Sequence, residues 1–222
     1  MHRFVVIEGL IGVGKTTLCR LLHRRRQASL ILEPHEDNPF LESFYENPER
    51  YAMPVQMYYL LTRWRQQERI RQISMFEPWV VSDYLFVKDR IFAEMTLSEE
   101  ELGLYDQFSA MLGRSVPTPD LVIALDAPTD VLLSRIKRRN MPGEHHITRD
   151  YLDDLRSRYH KLWSRWSDCP VLHVDNQQLD YSGSVVAQDE ILRRIDVALS
   201  GGTVDPAPGS VSDREDALGL FD

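Results

Sequence analysis

Eight residues near the start of the chain, Gly9-Leu10-Ile11-Gly12-Val13-Gly14-Lys15-Thr16, restrict the fold more than any other feature. They match G-x-x-x-x-G-K-[ST], with an apolar run before them (Phe4 to Ile7) and helical spacing after them (Lys15 to Arg26). A backbone that closes around phosphate oxygens needs glycines, because a Cβ would block the approach. Lys15 supplies a point charge at the outer phosphates, and Thr16 offers a hydroxyl to Mg²⁺, with Thr17 beside it. The N-terminus of the following helix adds a favourable dipole. The loop therefore predicts that residues 9–17 bind a nucleotide such as ATP, and it leaves the acceptor open.

A phosphate loop of this kind requires a strand that delivers it. Short apolar runs recur at Leu30-Ile31-Leu32, Trp79-Val80-Val81-Ser82, Leu121 to Leu125 and Val171 to Val174. Helical patterns separate them at Val55 to Ile73, about 98 to 113, Thr129 to Arg139, Arg149 to Trp166 and 186–199. The strands are continuous apolar runs rather than alternating ones, as expected when both faces are covered. The predicted fold is α/β: a three-layer P-loop NTPase fold, with a five-stranded parallel sheet flanked by helices and a short lid. In such sheets ligands bind beyond the carboxyl ends of the strands. That rule gathers the loop after Ile7, Glu33 after Leu32 and Asp83 after Ser82 into one cleft.

Composition narrows the partners. Net charge is −8, and residues 200–222 hold five acids against one base. An acidic chain without a basic stripe argues against nucleic acid. No run of about 18 apolar residues predicts a membrane span, and the first residues meet Glu8 too early for a secretory signal. Two cysteines, Cys19 and Cys169, form neither a disulfide framework nor a metal set, and suit buried thiols in a reducing cytoplasm. His145-His146 reads as a solvated pair. Residues 1–199 read as one domain, and 200–222, rich in Gly, Pro and Ser, as a disordered acidic tail.

Three clusters surround the loop. Glu33-Pro34 is followed by Asn38-Pro39-Phe40-Leu41. Gln56 and Arg63 lie seven residues apart, two turns along one helix face. The segment Ser82-Asp83-Tyr84-Leu85-Phe86-Val87-Lys88-Asp89-Arg90-Ile91-Phe92-Ala93 follows the third strand. In order and spacing, residues from about 3 to about 175 resemble the deoxynucleoside kinase family, particularly its bacterial deoxyadenosine/deoxyguanosine kinase branch. The resemblance implies that Glu33 is the general base for the sugar 5′-hydroxyl and that Gln56 and Arg63 read the nucleobase. Asp83 then lies near Mg²⁺, and Asp89 pairs with Arg63. In Arg135-Ile136-Lys137-Arg138-Arg139 it places the start of a lid (about 139–148), with Arg135 and Arg139 on the transferring phosphates and Glu144 near the 5′ position.

These roles are chemically consistent. A carboxylate within hydrogen-bond reach helps a sugar hydroxyl attack the γ-phosphoryl group. The implied reaction is ATP-dependent phosphorylation of a deoxynucleoside, with deoxyadenosine or deoxyguanosine as substrate, by a homodimer pairing helices at Leu97 to Met111 or Tyr151 to Trp166. Two departures stand out: Tyr84 and Met141 occupy positions where the family commonly has arginine. Lys88, or else Arg90, is the candidate to replace the first of these cations. A nucleoside monophosphate kinase of the thymidylate kinase type and a non-catalytic nucleotide-binding module are the alternatives. Glu33 as a base favours a hydroxyl acceptor, and Lys15, Thr16, Glu33 and Asp83 together speak against a degenerate module.

Overall fold

The computed structural model describes residues 2–32, 38–73, 76–141, 144, 147–177 and 179–202. A five-stranded sheet with order β2-β3-β1-β4-β5 forms the centre. Its strands are β1 (Arg3–Gly9), β2 (Ser29–Ile31), β3 (Trp79–Ser82), β4 (Leu121–Asp126) and β5 (Val171–Asp175). Every pairing is parallel. The helices are α1 (Lys15–Arg26), α2 (Leu41–Glu46), α3 (Pro48–Ile73), α4 (Lys88–Thr96), α5 (Glu99–Gly113), α6 (Thr129–Arg139), α7 (Arg149–Arg165) and α8 (Val185–Leu199). The α/β fold read from the sequence is the observed one.

Side chains alternate across a strand, so β1 serves two cores. Val5 and Ile7 pack with Leu18, Leu22, Leu132 and Ile191 from α1, α6 and α8. Phe4 and Val6 point the other way, onto Val80, Val122 and Ile70 of α3. A third cluster, Leu60, Phe86, Ala93 and Tyr105, joins α3, α4 and α5 beside the sheet. The strand order sets β1 next to β3, so the ends carrying Gly9 and Asp83 are neighbours.

The structure corrects the expected start of α3. The sequence pattern begins at Val55, after Pro54, yet the helix begins at Pro48 and runs through Pro54. Asn47 opens it: its side chain accepts from Arg50 N (3.3 Å) and its carbonyl from Tyr51 N (3.2 Å). An interior proline costs about 3 kcal/mol. Packing of Met53, Met57 and Trp64 against the third cluster offsets that cost. Two short helices, α2 and α4, have no counterpart in the sequence reading.

Cys19 is fully buried and Cys169 half-buried. Burial, assisted by Asp83, pushes the Cys19 thiol well above its usual range, and burial also raises Cys169. Only the thiolate reacts with alkylating agents. The native protein at neutral pH is expected to label slowly, at Cys169 alone, and at both positions in denaturant. Mass spectrometry after alkylation checks this, and fast native labelling of Cys19 would contradict the packing behind the phosphate loop.

Candidate active site

β1 ends at Gly9, and the chain turns through residues 10–14 into α1. Gly9 has φ +148°, and a Cβ there would sit on the Leu125 carbonyl oxygen of β4. Gly14, at φ +104°, is the N-cap of α1 and provides no side-chain cap. The first N–H groups of α1 thus lack a capping side chain, the arrangement that receives an anion. Lys15 folds back over the loop, its Nζ donating to Gly9 O (2.8 Å) and Leu10 O (3.2 Å). Thr17, the third residue of α1, is exposed in its first turn.

Thr16 and Asp83 meet as the sheet order requires. The Thr16 hydroxyl donates to Asp83 Oδ2 at 3.2 Å, and Asp83 is 3% exposed. One hydroxyl and one carboxylate beside a phosphate cradle form a hard oxygen set of the kind Mg²⁺ uses when phosphates complete its shell. Among the described residues no group of three or more His, Cys, Asp or Glu could hold a metal. A metal at this place would therefore lean on the phosphates.

Beyond Asp83 the chain reaches a second buried cluster. Asp89, in the first turn of α4, forms an ion pair with Arg63 of α3, whose side chains are 2% and 7% exposed. The rings of Tyr59 and Tyr84 flank the Arg63 guanidinium at 4.7 and 5.9 Å. Gln56 is buried two turns back on α3, and its Nε2 donates to Thr96 Oγ1 (3.0 Å). Asp89 Oδ2 and the Tyr105 hydroxyl are buried without a hydrogen-bond partner among the described residues. Burial also drives the Tyr105 hydroxyl well above its usual range. Polar atoms in that condition are costly unless something pairs with them.

Tyr84, where an arginine was expected, is fully buried, with its hydroxyl toward Arg63 O at 3.4 Å. It packs against Arg63 of the Arg63–Asp89 pair. Of the two cations that could replace the missing arginine, Arg90 is exposed and bound to Asp106 (2.9 Å) and to Glu94. Lys88 is buried, with Nζ 5.8 Å from the Tyr84 ring centroid. Glu33, and with it the expected base, lies outside the described residues, as do His145 and His146.

The lid-side residues divide. Arg135 reaches the phosphate loop, donating to Val13 O (3.3 Å) and Asn176 O (3.5 Å). Arg139 instead pairs with Glu144. Nearby, burial and the Glu144 charge raise the Tyr45 hydroxyl on α2. Asn140 ends α6 in the left-handed conformation at φ 49°.

Three residues around the loop escaped the sequence reading. Asn176 is 5% exposed and its amide donates to Val13 O, while Tyr181 directs its hydroxyl to Gly14 O (3.4 Å). Both follow β5, so the strand-end rule that found Glu33 and Asp83 would have found them. Glu8, the third, was passed over as the end of an apolar run, although a carboxylate inside a buried central strand is itself a signal.

The deoxynucleoside kinase family model matches residues 5–200. A deoxyguanosine kinase of Bacillus subtilis (strain 168) is 35% identical over 184 residues, covering 80% of this chain and 88% of that protein. A deoxyadenosine/deoxycytidine kinase of the same organism is 31% identical over 186 residues, covering 81% and 85%. Among solved structures, a deoxyadenosine kinase from M. mycoides with bound dCTP superposes with a TM-score of 0.72. It shares 23% identity and covers 87% of this chain and 98% of its own.

Proposed function

Because the chain belongs to the deoxynucleoside kinase family, we propose that it moves the γ-phosphoryl group of ATP to the 5′-hydroxyl of a purine deoxynucleoside. The observation that carries this reading is the segment 83–89. One end of it bonds the phosphate loop through Thr16, and the other holds the buried Arg63–Asp89 pair. That geometry supports a reading in which one short stretch of chain serves both the phosphoryl donor and the base.

In this reading Glu33 takes the 5′-hydroxyl proton as the sugar oxygen attacks the γ-phosphorus, the bond to the β-phosphate oxygen breaks, and ADP leaves. Lys15 and Arg135 face the charge that spreads over the phosphoryl oxygens. Arg139 and Glu144 close the lid side. Thr16 and Asp83, with the donor phosphates, would hold Mg²⁺, which would supply charge neutralisation. The Arg63 fork, held by Asp89, and the Gln56 amide present donors and acceptors to a base edge. The deoxyguanosine and deoxyadenosine kinases among the relatives support a purine.

Homodimer formation is part of the same proposal. Leu104, Phe108 and Met111 line up on α5 at helical spacing and are 47%, 38% and 59% exposed, with Leu61 of α3 at 39%. Phe108→Asp is expected to convert a dimer to monomers in sedimentation velocity. A parent that sediments as a monomer sinks the idea. Two free thiols and the absence, among the described residues, of a helix able to cross a membrane fit a cytoplasmic place.

The test of the reaction is ATP consumption with deoxyadenosine, deoxyguanosine, deoxycytidine, thymidine and thymidylate in parallel. The expected result is fastest turnover on a purine deoxynucleoside. Turnover on thymidylate alone would overturn the hydroxyl acceptor. No turnover on any, with ATP still bound, would favour a non-catalytic module.

A further inference from the structure

Glu8 is fully buried near the carboxyl end of β1, the middle strand of the sheet. It lies on the same face of the strand as Phe4 and Val6, where the neighbours are apolar. A buried carboxylate is costly unless its lone pairs are satisfied. Among the described residues three donors reach it, and none of the three is a cation. Oε1 accepts from Gly9 N (2.9 Å) and from the Tyr159 hydroxyl (3.0 Å), and Oε2 accepts from Leu85 N (2.7 Å).

The identity of those donors is informative. Gly9 opens the phosphate loop. Leu85 stands two residues beyond Asp83, in the segment that leads to Asp89. Tyr159 belongs to α7, the helix that follows the lid region. One side chain therefore joins the phosphate loop, the segment that follows Asp83 and α7. Only a carboxylate suits the position, because it accepts at both oxygens. A glutamine would turn its amide N–H groups toward Leu85 N–H or Gly9 N–H.

We propose that Glu8 is a positioning residue: its acceptor-only carboxylate fixes the phosphate loop against the segment carrying Asp83 and against α7. The proposal rests on the reading of residues 9–17 as the ATP site. Glu8 touches neither substrate nor the reacting atoms, and it acts through the backbone of Gly9 and Leu85.

Two substitutions separate positioning from bulk stability. Glu8→Gln disturbs the backbone contacts. Tyr159→Phe removes one donor and leaves both backbone contacts in place. Calorimetric titration with ATP and Mg²⁺, without nucleoside, is expected to show affinity about tenfold weaker or worse in Glu8→Gln. In Tyr159→Phe it should stay within about threefold of the parent, even though melting temperature falls in both. Amide exchange at Gly9 and Leu85 should quicken together in Glu8→Gln. If both variants melt earlier but bind ATP like the parent, Glu8 is only a core stabiliser and the proposal fails. If Glu8→Gln does not fold, exchange in the parent decides. Protected amides at both Gly9 and Leu85 support the proposal, and rapid exchange at either overturns it. That readout needs neither nucleotide nor turnover. A parent that binds ATP but phosphorylates no nucleoside would defeat the functional reading and leave this one standing.

Discussion

Asp89→Ala is expected to destabilise the protein by about 3–5 kcal/mol, because it strands the buried Arg63 guanidinium without its carboxylate. Both side chains are almost sealed from solvent, so water cannot take over the lost contact. The rings of Tyr59 and Tyr84 near the guanidinium soften the loss without replacing an anion. The same variant should lose nucleoside binding, since the fork that Asp89 orients no longer has a fixed direction. A double replacement, Arg63→Met with Asp89→Leu, should regain most of the stability and none of the binding. Urea denaturation and nucleoside titration together check this. A cost under about 1 kcal/mol for Asp89→Ala would mean that the pair is solvated and not a fixed reader.

Lys15→Ala is the second large effect, and it falls on turnover alone. The side chain leans on two loop carbonyls and is only half-buried, so its removal leaves the core intact and melting close to the parent. Turnover should fall by about a thousandfold or more, the range seen when a charge-stabilising group is taken from a phosphoryl or acyl transition state. Lys15→Arg should not restore it, because a planar fork does not fit where a compact ammonium sits among carbonyls. Steady-state kinetics beside a thermal melt separate the two variables. Turnover within about tenfold of the parent would show that residues 9–17 do not hold the transferred group.

What was legible in the sequence followed local chemistry. The phosphate loop declared itself because Gly9, Gly12 and Gly14 all adopt positive φ, at 148°, 80° and 104°. Helices α5, α7 and α8 were placed closely because Ser98, Thr148 and Ser184 cap them with side-chain hydrogen bonds. The N-cap residues of α2 and α4, Phe40 and Val87, make no such hydrogen bond, and both helices went unseen. Pro54 was read by its own local cost, and the packing that outweighs it is tertiary. The clustering of Thr16 with Asp83 followed from the strand-end rule. The family pattern, and no spacing argument, named the partner of Arg63. Tyr84 was visible only as a missing arginine, since nothing in the sequence tells that its ring turns inward against Arg63. Strand position could flag Glu8 and Asn176, but their bonds to Leu85 N and Val13 O join residues distant in sequence, and no linear pattern records those partners.

The sheet order also governs when a site of this kind can exist during synthesis. β1 is the first strand, yet Arg3 finds its β3 partner only at Trp79, and Val5 its β4 partner only at Leu121. Parallel pairing over such separations must close long loops before any contact rewards it. The Leu125 carbonyl that faces Gly9 likewise arrives late. A nascent chain halted before β4 thus carries the whole phosphate-loop motif in its sequence but lacks the β1–β4 pairing and the Leu125 carbonyl against which Gly9 sits. Nucleotide is expected to bind as the final strands dock, and by favouring the native state alone it would act as a ligand that draws folding to completion.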